Sequence, residues 1–369
     1  MHNSSLQRER FACTLAHQAP DRVPMDLGAT DMTEIDGGPR RLAPLLGIAA
    51  DAPDAEVDEA VLRALDIDIR GVGGILQPAG TLARQVSATE IVDMWGVGYR
   101  FSGHYFEAVS RPLQGATLDD LDRYPWPDPD RLDPAVIAAI AERARFLYER
   151  TPYVVCARHP CHGVLEVGCW MCGYDDFLYR MAAEPEFVHR FFDIVYAYQQ
   201  RIEELYYAAV GPYIHFTTSG DDFGMQTGPL ISPAMFADLV LPYLRARIRQ
   251  IRRYTSAAFF HHTCGSVFDL IPDLLDAGVE ILNPIQPRAK KMEPERLKRT
   301  FGDRLTFYGG VDTQLLLPRG SVEEVEQATR DLIRILGESG GYILSAAHTL
   351  QQDVPNENIL ALYRAGREA

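Results

Sequence analysis

Short apolar runs bounded by glycine, proline and polar clusters recur along this chain, and stretches with helical period lie between most of them. Strands are predicted at 21–28, 67–73, 153–157, 213–218, 257–262, 279–283, 305–309 and 342–345. Helices are predicted at 5–18, 58–65, 134–149, 185–209, 233–254, 267–277, 322–338 and 356–367. Strand–helix alternation implies a parallel sheet, and about eight strands is the number that closes on itself. No glycine-rich dinucleotide fingerprint favours an open doubly wound sheet. The expectation is an α/β protein with one distorted (β/α)8 TIM barrel over residues 1–369. An N-terminal helical extension occupies 1–20, and a hairpin is inserted at 86–113, where 91–101 and 105–109 break the rhythm. The stretch Pro125-Trp126-Pro127-Asp128-Pro129-Asp130 fits neither helix nor central strand and reads as a rigid connector.

Composition narrows the classes. Apolar residues make up 47% of the 369, enough for a large core, and no apolar run approaches the roughly 20 residues of a membrane span. Residues 1–19 are polar and lack the hydrophobic segment of a secretion signal, so a cytoplasmic protein without a membrane partner is expected. Net charge is −15, from 36 basic and 51 acidic residues, which argues against a nucleic-acid partner. A mixed apolar and charged surface permits a homodimer without demanding one.

Candidate chemistry gathers at the carboxyl ends of the predicted strands, where barrels carry their reactive groups. The run Ala257-Ala258-Phe259-Phe260-His261-His262-Thr263-Cys264-Gly265 is the richest. Strand alternation points His262 and Cys264 one way and His261 the other, giving half of a metal site. A third donor could be His348, which ends the run 341–348, and three protein ligands with an open fourth position is a catalytic zinc arrangement. On spacing alone the plainer reading, a His348 that hydrogen-bonds a loop, has the edge. Asp221 and Asp222 sit in a glycine-flanked turn before Gln226 and suit ligand contact or proton transfer; for one of the two, an ordinary turn or helix cap is expected. Asp26, Asn283 and Asp312 occupy other strand ends. Cys156, His159, Cys161, His162, Cys169 and Cys172 cluster without a second CxxC, so they read as buried thiols and packing histidines, with a second metal as the alternative. His17, His104, His189 and His215 read as surface or satisfied core histidines, and Arg288-Ala289-Lys290-Lys291 as a solvated face.

An ordered set of motifs runs through nearly the whole length: Arg8-Glu9-Arg10 leading to Asp21-Arg22-Val23-Pro24, Asp93-Met94-Trp95-Gly96, His262-Thr263-Cys264-Gly265, Gly309-Gly310-Val311-Asp312, and Gly340-Gly341-Tyr342-Ile343-Leu344 followed by Pro355-Asn356-Glu357-Asn358. By these the chain resembles the uroporphyrinogen decarboxylase superfamily. The decarboxylase itself fits less well, because its Arg-Gln-Ala-Gly-Arg signature has no counterpart between Pro24 and Asp36. The corrinoid-linked methyltransferase branch is closer. The resemblance implies Zn²⁺ on His262 and Cys264 with a third ligand, usually Cys, where this chain has His348. The decarboxylase also carries a functional histidine near that place. A His/Cys/His set leaves one net positive charge on the metal and makes it the stronger Lewis acid. The implied activity moves a methyl group between a corrinoid protein and a small-molecule donor or acceptor, a thiol or tetrahydrofolate. The corrinoid must arrive on a partner, since no Asp-x-His-x-x-Gly motif is present. Asp221, Asp222 and Asp312 are the expected catalytic acids, and Asp26, Gln226 and Asn283 the expected cofactor-binding groups. Two other classes stay open: a lyase acting on a carboxylated substrate, and a non-catalytic corrinoid- or tetrapyrrole-binding module.

Overall fold

The computed structural model describes residues 5–49, 51–103 and 106–369. Seven parallel strands form one sheet in strict chain order: β1 (Ile69–Gly73), β2 (Val154–Arg158), β3 (Phe216–Thr217), β4 (Ala258–His262), β5 (Ile281–Asn283), β6 (Thr306–Tyr308) and β7 (Tyr342–Ile343). The eighth predicted strand, 21–28, shrinks to a single bridge between Met25 and Leu344. Its backbone is bonded on both sides: Asp26 N donates to Leu344 O at 3.0 Å, and Asp68 N donates to Met25 O at 3.0 Å. Residues 24–26 thereby occupy the eighth position of a TIM-barrel-like ring. The strand is short because Pro24 has no N–H to give and because the chain turns at once onto the Asp26 carboxylate, which accepts from Ala29 N at 2.9 Å. Pro212 likewise trims the strand predicted at 213–218, since Gly211–Tyr213 is a 3₁₀ turn.

The strands separate two apolar layers. Inside the ring lie Ile69, Val154, Cys156, Phe216, Ala258, Phe260, Ile281, Tyr308 and Ile343. Helix α1 (Leu6–Leu15) lies across the amino-terminal end, where Phe11 stacks on Phe216 at 5.4 Å. Arg8 fastens α1 to the turn before β2 through the carbonyls of Tyr148, Thr151 and Tyr153. The larger core lies outside, between strands and helices such as α2 (Pro134–Arg150), α3 (Val164–Cys172), α4 (Pro185–Val210), α5 (Leu241–Ile251), α6 (Val322–Leu332) and α7 (Asn356–Glu368). Two predicted helices are interrupted. The one at 233–254 widens into a π stretch over Phe236–Val240, which ends two residues before Pro242, a residue that cannot donate to the preceding turn. The one at 322–338 ends in a π stretch, Ile333–Gly337.

The insertion at 86–113 is more than a hairpin. Arg84–Gln85, Glu90–Val92, Gly98–Phe101 and Phe106–Ser110 make a four-stranded antiparallel sheet. Phe101 and Phe106 pair across its last two strands with rings 5.4 Å apart. His104 and Tyr105 lie outside the described residues. The charged cluster Asp68, Arg10 and Arg22 pins the bridge segment: Asp68, fully buried, pairs with both guanidinium groups and accepts from Met25 N at 2.7 Å. Among the described residues, no helix is long and apolar enough to cross a membrane.

Candidate metal centre at the mouth of the barrel

Strand β4 alternates as its sequence requires. Ala258 and Phe260 face the interior and Phe259 the helices, and His261 stacks on Phe223 at 5.2 Å with Nδ1 2.7 Å from Ser219 Oγ. His262 takes the opposite side, where its Nε2 lies 3.4 Å from Cys264 Sγ. His348 arrives from the end of β7, its ring 5.6 Å from that of His262 at an interplanar angle of 72°. One donor atom each from His262, Cys264 and His348 falls within 4.8 Å of the others, the one such grouping of His, Cys, Asp and Glu found among the described residues. The spacing of the sequence left His348 open between a loop contact and this position; the geometry puts it beside the pair.

The turn that presents Cys264 depends on two glycines meeting backbone to backbone. Gly265 has φ +84°, and a Cβ there would stand 2.5 Å from the carbonyl carbon of Gly224; one on Gly224 would stand 2.5 Å from Cys264 O. Asp222 Oδ1 accepts from Cys264 N at 2.7 Å and lies 3.6 Å from His262 Nε2. Asn283, buried at the end of β5, sets the tautomer of His262. Its Nδ2 donates to Tyr308 O at 3.3 Å, so its Oδ1 is the atom facing His262 Nδ1 at 2.7 Å. An amide oxygen only accepts, so Nδ1 carries the proton and the Nε2 lone pair points at the cluster.

The donor set suits a borderline-soft divalent cation such as Zn²⁺. Burial drives the His348 pKa down to about 4, leaving a neutral imidazole. Burial, with the Asp222 and Glu166 charges, pushes the Cys264 thiol far up, so without a cation the sulfur keeps its proton. A bound metal reverses that preference, because a coordinating thiol is deprotonated outright.

The other expected site residues divide. Asp221 is buried with its carboxylate on the first turn of α3, accepting from Leu165 N at 3.1 Å and Glu166 N at 2.8 Å. Burial raises its pKa to about 7 against those bonds. It is the acid with the capping role, on a helix more than 50 residues earlier in the chain. Asp312 is taken up by its own loop, accepting from the backbone N–H groups of Gln314, Leu315 and Leu316. Asp26 is fully buried among Ala29 N and the Thr33 hydroxyl, and burial raises its pKa. The Gln226 side chain is exposed, and its carbonyl accepts from Lys290 N at 2.9 Å.

Two residues had no place in the sequence reading. Glu166, in α3, has its carboxyl pKa held well above the usual range by burial and then by the charges of Asp222 and Asp221. Gln286, three residues past β5, accepts from Gly265 N at 2.8 Å and donates to Cys264 Sγ at 3.5 Å. Both stand in stretches that strand-end reasoning covers, but Gln286 does not titrate and Glu166 was hidden among the cysteines. Those cysteines, Cys156, Cys161, Cys169 and Cys172, are buried thiols with pKa pushed up by burial. A cavity of about 670 Å³, lined by Glu34, Ile35, Asp36, Phe101, Phe106 and His348, opens beside the cluster.

Known proteins fit this picture. The sequence profile described as uroporphyrinogen decarboxylase (URO-D) matches residues 91–369. A methylated-thiol–coenzyme M methyltransferase of Methanosarcina mazei is 24% identical over 262 residues, which are 70% of this chain and 65% of that protein. The methylcobamide:CoM methyltransferase MtaA of Methanosarcina barkeri is 23% identical over 172 residues, 46% of this chain and 49% of that one. The chain thus spans less than two thirds of the length of each relative. A solved methyltransferase from Methanosarcina mazei superposes with a TM-score of 0.63 over 99% of both chains at 17% identity, and so shares the fold.

Proposed function

The chain belongs to the uroporphyrinogen decarboxylase family, and from that premise we propose that it is a zinc-dependent methyltransferase working with a corrinoid protein. The reading rests on one observation above all: a His/Cys/His donor set converges at the barrel mouth beside an open cavity. The names of both relatives, each a coenzyme M methyltransferase, favour it over a lyase. When bound, Zn²⁺ would supply a Lewis acid that lowers the pKa of the methyl-accepting group. The small reactant is a thiol or tetrahydrofolate, and the corrinoid partner carries the other end of the transfer.

The chain's own residues have separable parts in this reading. His262, Cys264 and His348 hold the metal. Asn283 orients His262 through Nδ1, and Asp222 orients Cys264 through its backbone N–H. Glu166, whose buried carboxyl favours the protonated form, is placed to hold a proton near Asp222. Asp221 steadies α3, which carries Glu166. Asp26, Gln226 and Asp312 serve the loops of the mouth rather than the reacting groups.

Metal analysis of purified protein is the first test. About one zinc per chain is expected, with loss of most of it in His262→Ala and Cys264→Ala. Wild-type protein that binds no transition metal, yet turns over a carboxylated substrate without corrinoid, would replace this reading with the lyase.

A further inference from the structure

We propose that Gln286 shields Cys264 from becoming the methyl acceptor itself. The inference rests on the zinc reading above and deepens it. Of the three donors, Cys264 is the sulfur, and a metal-bound thiolate is a nucleophile toward methyl groups. If it attacked, an S–CH₃ bond would form, the bond from carbon to its carrier would break, and the carrier would leave with the electron pair. The product, a neutral thioether, is a poor ligand, so the site would be spoiled.

Gln286 is oriented against that outcome. The Gly265 N–H can only donate, so it fixes Oε1 on its own side at 2.8 Å. Nε2 is then left facing Cys264 Sγ, where it donates at 3.5 Å, within range for sulfur. His262 Nε2 stands 3.4 Å from the same sulfur. A hydrogen bond to a thiolate withdraws the lone pair an electrophile would meet. One amide therefore serves two ends: Oε1 secures the turn and Nε2 quiets the sulfur.

The two ends can be separated. Gln286→Glu keeps an acceptor for Gly265 N–H and removes the donor to sulfur; Gln286→Leu removes both. Zinc-bearing wild type and both variants are exposed to iodomethane, and methylation of the Cys264 peptide is followed by mass spectrometry alongside zinc release. Both variants should methylate Cys264 on the order of tenfold faster than wild type, with zinc lost in step. Equal rates in all three overturn the proposal. Acceleration in Gln286→Leu alone also overturns it, leaving Gln286 as a brace for the turn. Circular dichroism shows that each variant is folded. Wild-type protein without zinc removes the zinc reading and this one together; zinc-bearing protein with unchanged Cys264 reactivity removes this one alone.

Discussion

The two ring nitrogens of His262 have different duties, and Asn283 enforces the division. With Asn283 Oδ1 holding Nδ1–H at 2.7 Å, Nε2 is free to bind. Replacing Asn283 by Leu keeps the bulk and removes the acceptor. Zinc affinity should fall about tenfold to a hundredfold, as loss of such a supporting bond usually costs, and competition against a coloured chelator measures it. An unchanged affinity would mean that the ring is held by packing alone. At this scale the sequence was informative where chemistry follows from alternation: Phe259-Phe260-His261-His262 assigns faces by counting. It was uninformative where two identical residues stand together. Asp221 and Asp222 differ in role because α3, distant in the chain, presents its free N–H groups to one of them. No local pattern encodes that meeting.

Elements pair through side chains as well as backbone. His215, just before β3, accepts from Val155 N of β2 through Nδ1 at 2.9 Å, with its ring 5.2 Å from Tyr148. Burial lowers its pKa to about 4, against roughly 6.5 in an unfolded chain. The folded pKa is depressed, so the unfolded chain binds the extra proton first. The stabilisation is complete above pH 6.5 and is lost as pH falls toward 4, at up to about 1.4 kcal/mol per pH unit. His215→Gln, which offers a non-titrating acceptor, should flatten this acid limb in urea unfolding measured between pH 7 and pH 5. The same limb in wild type and variant would acquit His215. Long elements with a clean period, such as α4 and α7, were legible in the sequence to within a residue or two. The insertion was not: its strands are two to five residues long, and pairing among four short strands is decided by contacts that periodicity does not carry.

For the molecule as a whole, ring closure depends on a buried charge cluster. Asp68 sits between Arg10 and Arg22 and holds the Met25 N–H, so it joins α1, the bridge segment and the start of β1. Asp68→Ala would leave Arg10 with Asp21 and Arg22 with Asp66, both partly exposed acids, and would orphan the buried Met25 N–H, at a cost of about 1.5–3 kcal/mol. Denaturant unfolding should show that loss, and a change within about 1 kcal/mol would show that water reaches the vacated site instead. The barrel was legible from strand count and order because parallel alternation has few closed solutions. Its eighth position was legible as a strand over 21–28 but its length was not, since the cut to the one bridged residue, Met25, follows from Pro24 and the turn at Asp26 rather than from any period. The aromatic fill contributed by Phe11, Phe216, Phe260 and Tyr308 has a consequence for traffic. The floor of the barrel is shut, so the site is a room with one door. In the proposed transfer both reactants would have to enter by that one opening, the smaller before the larger covers it.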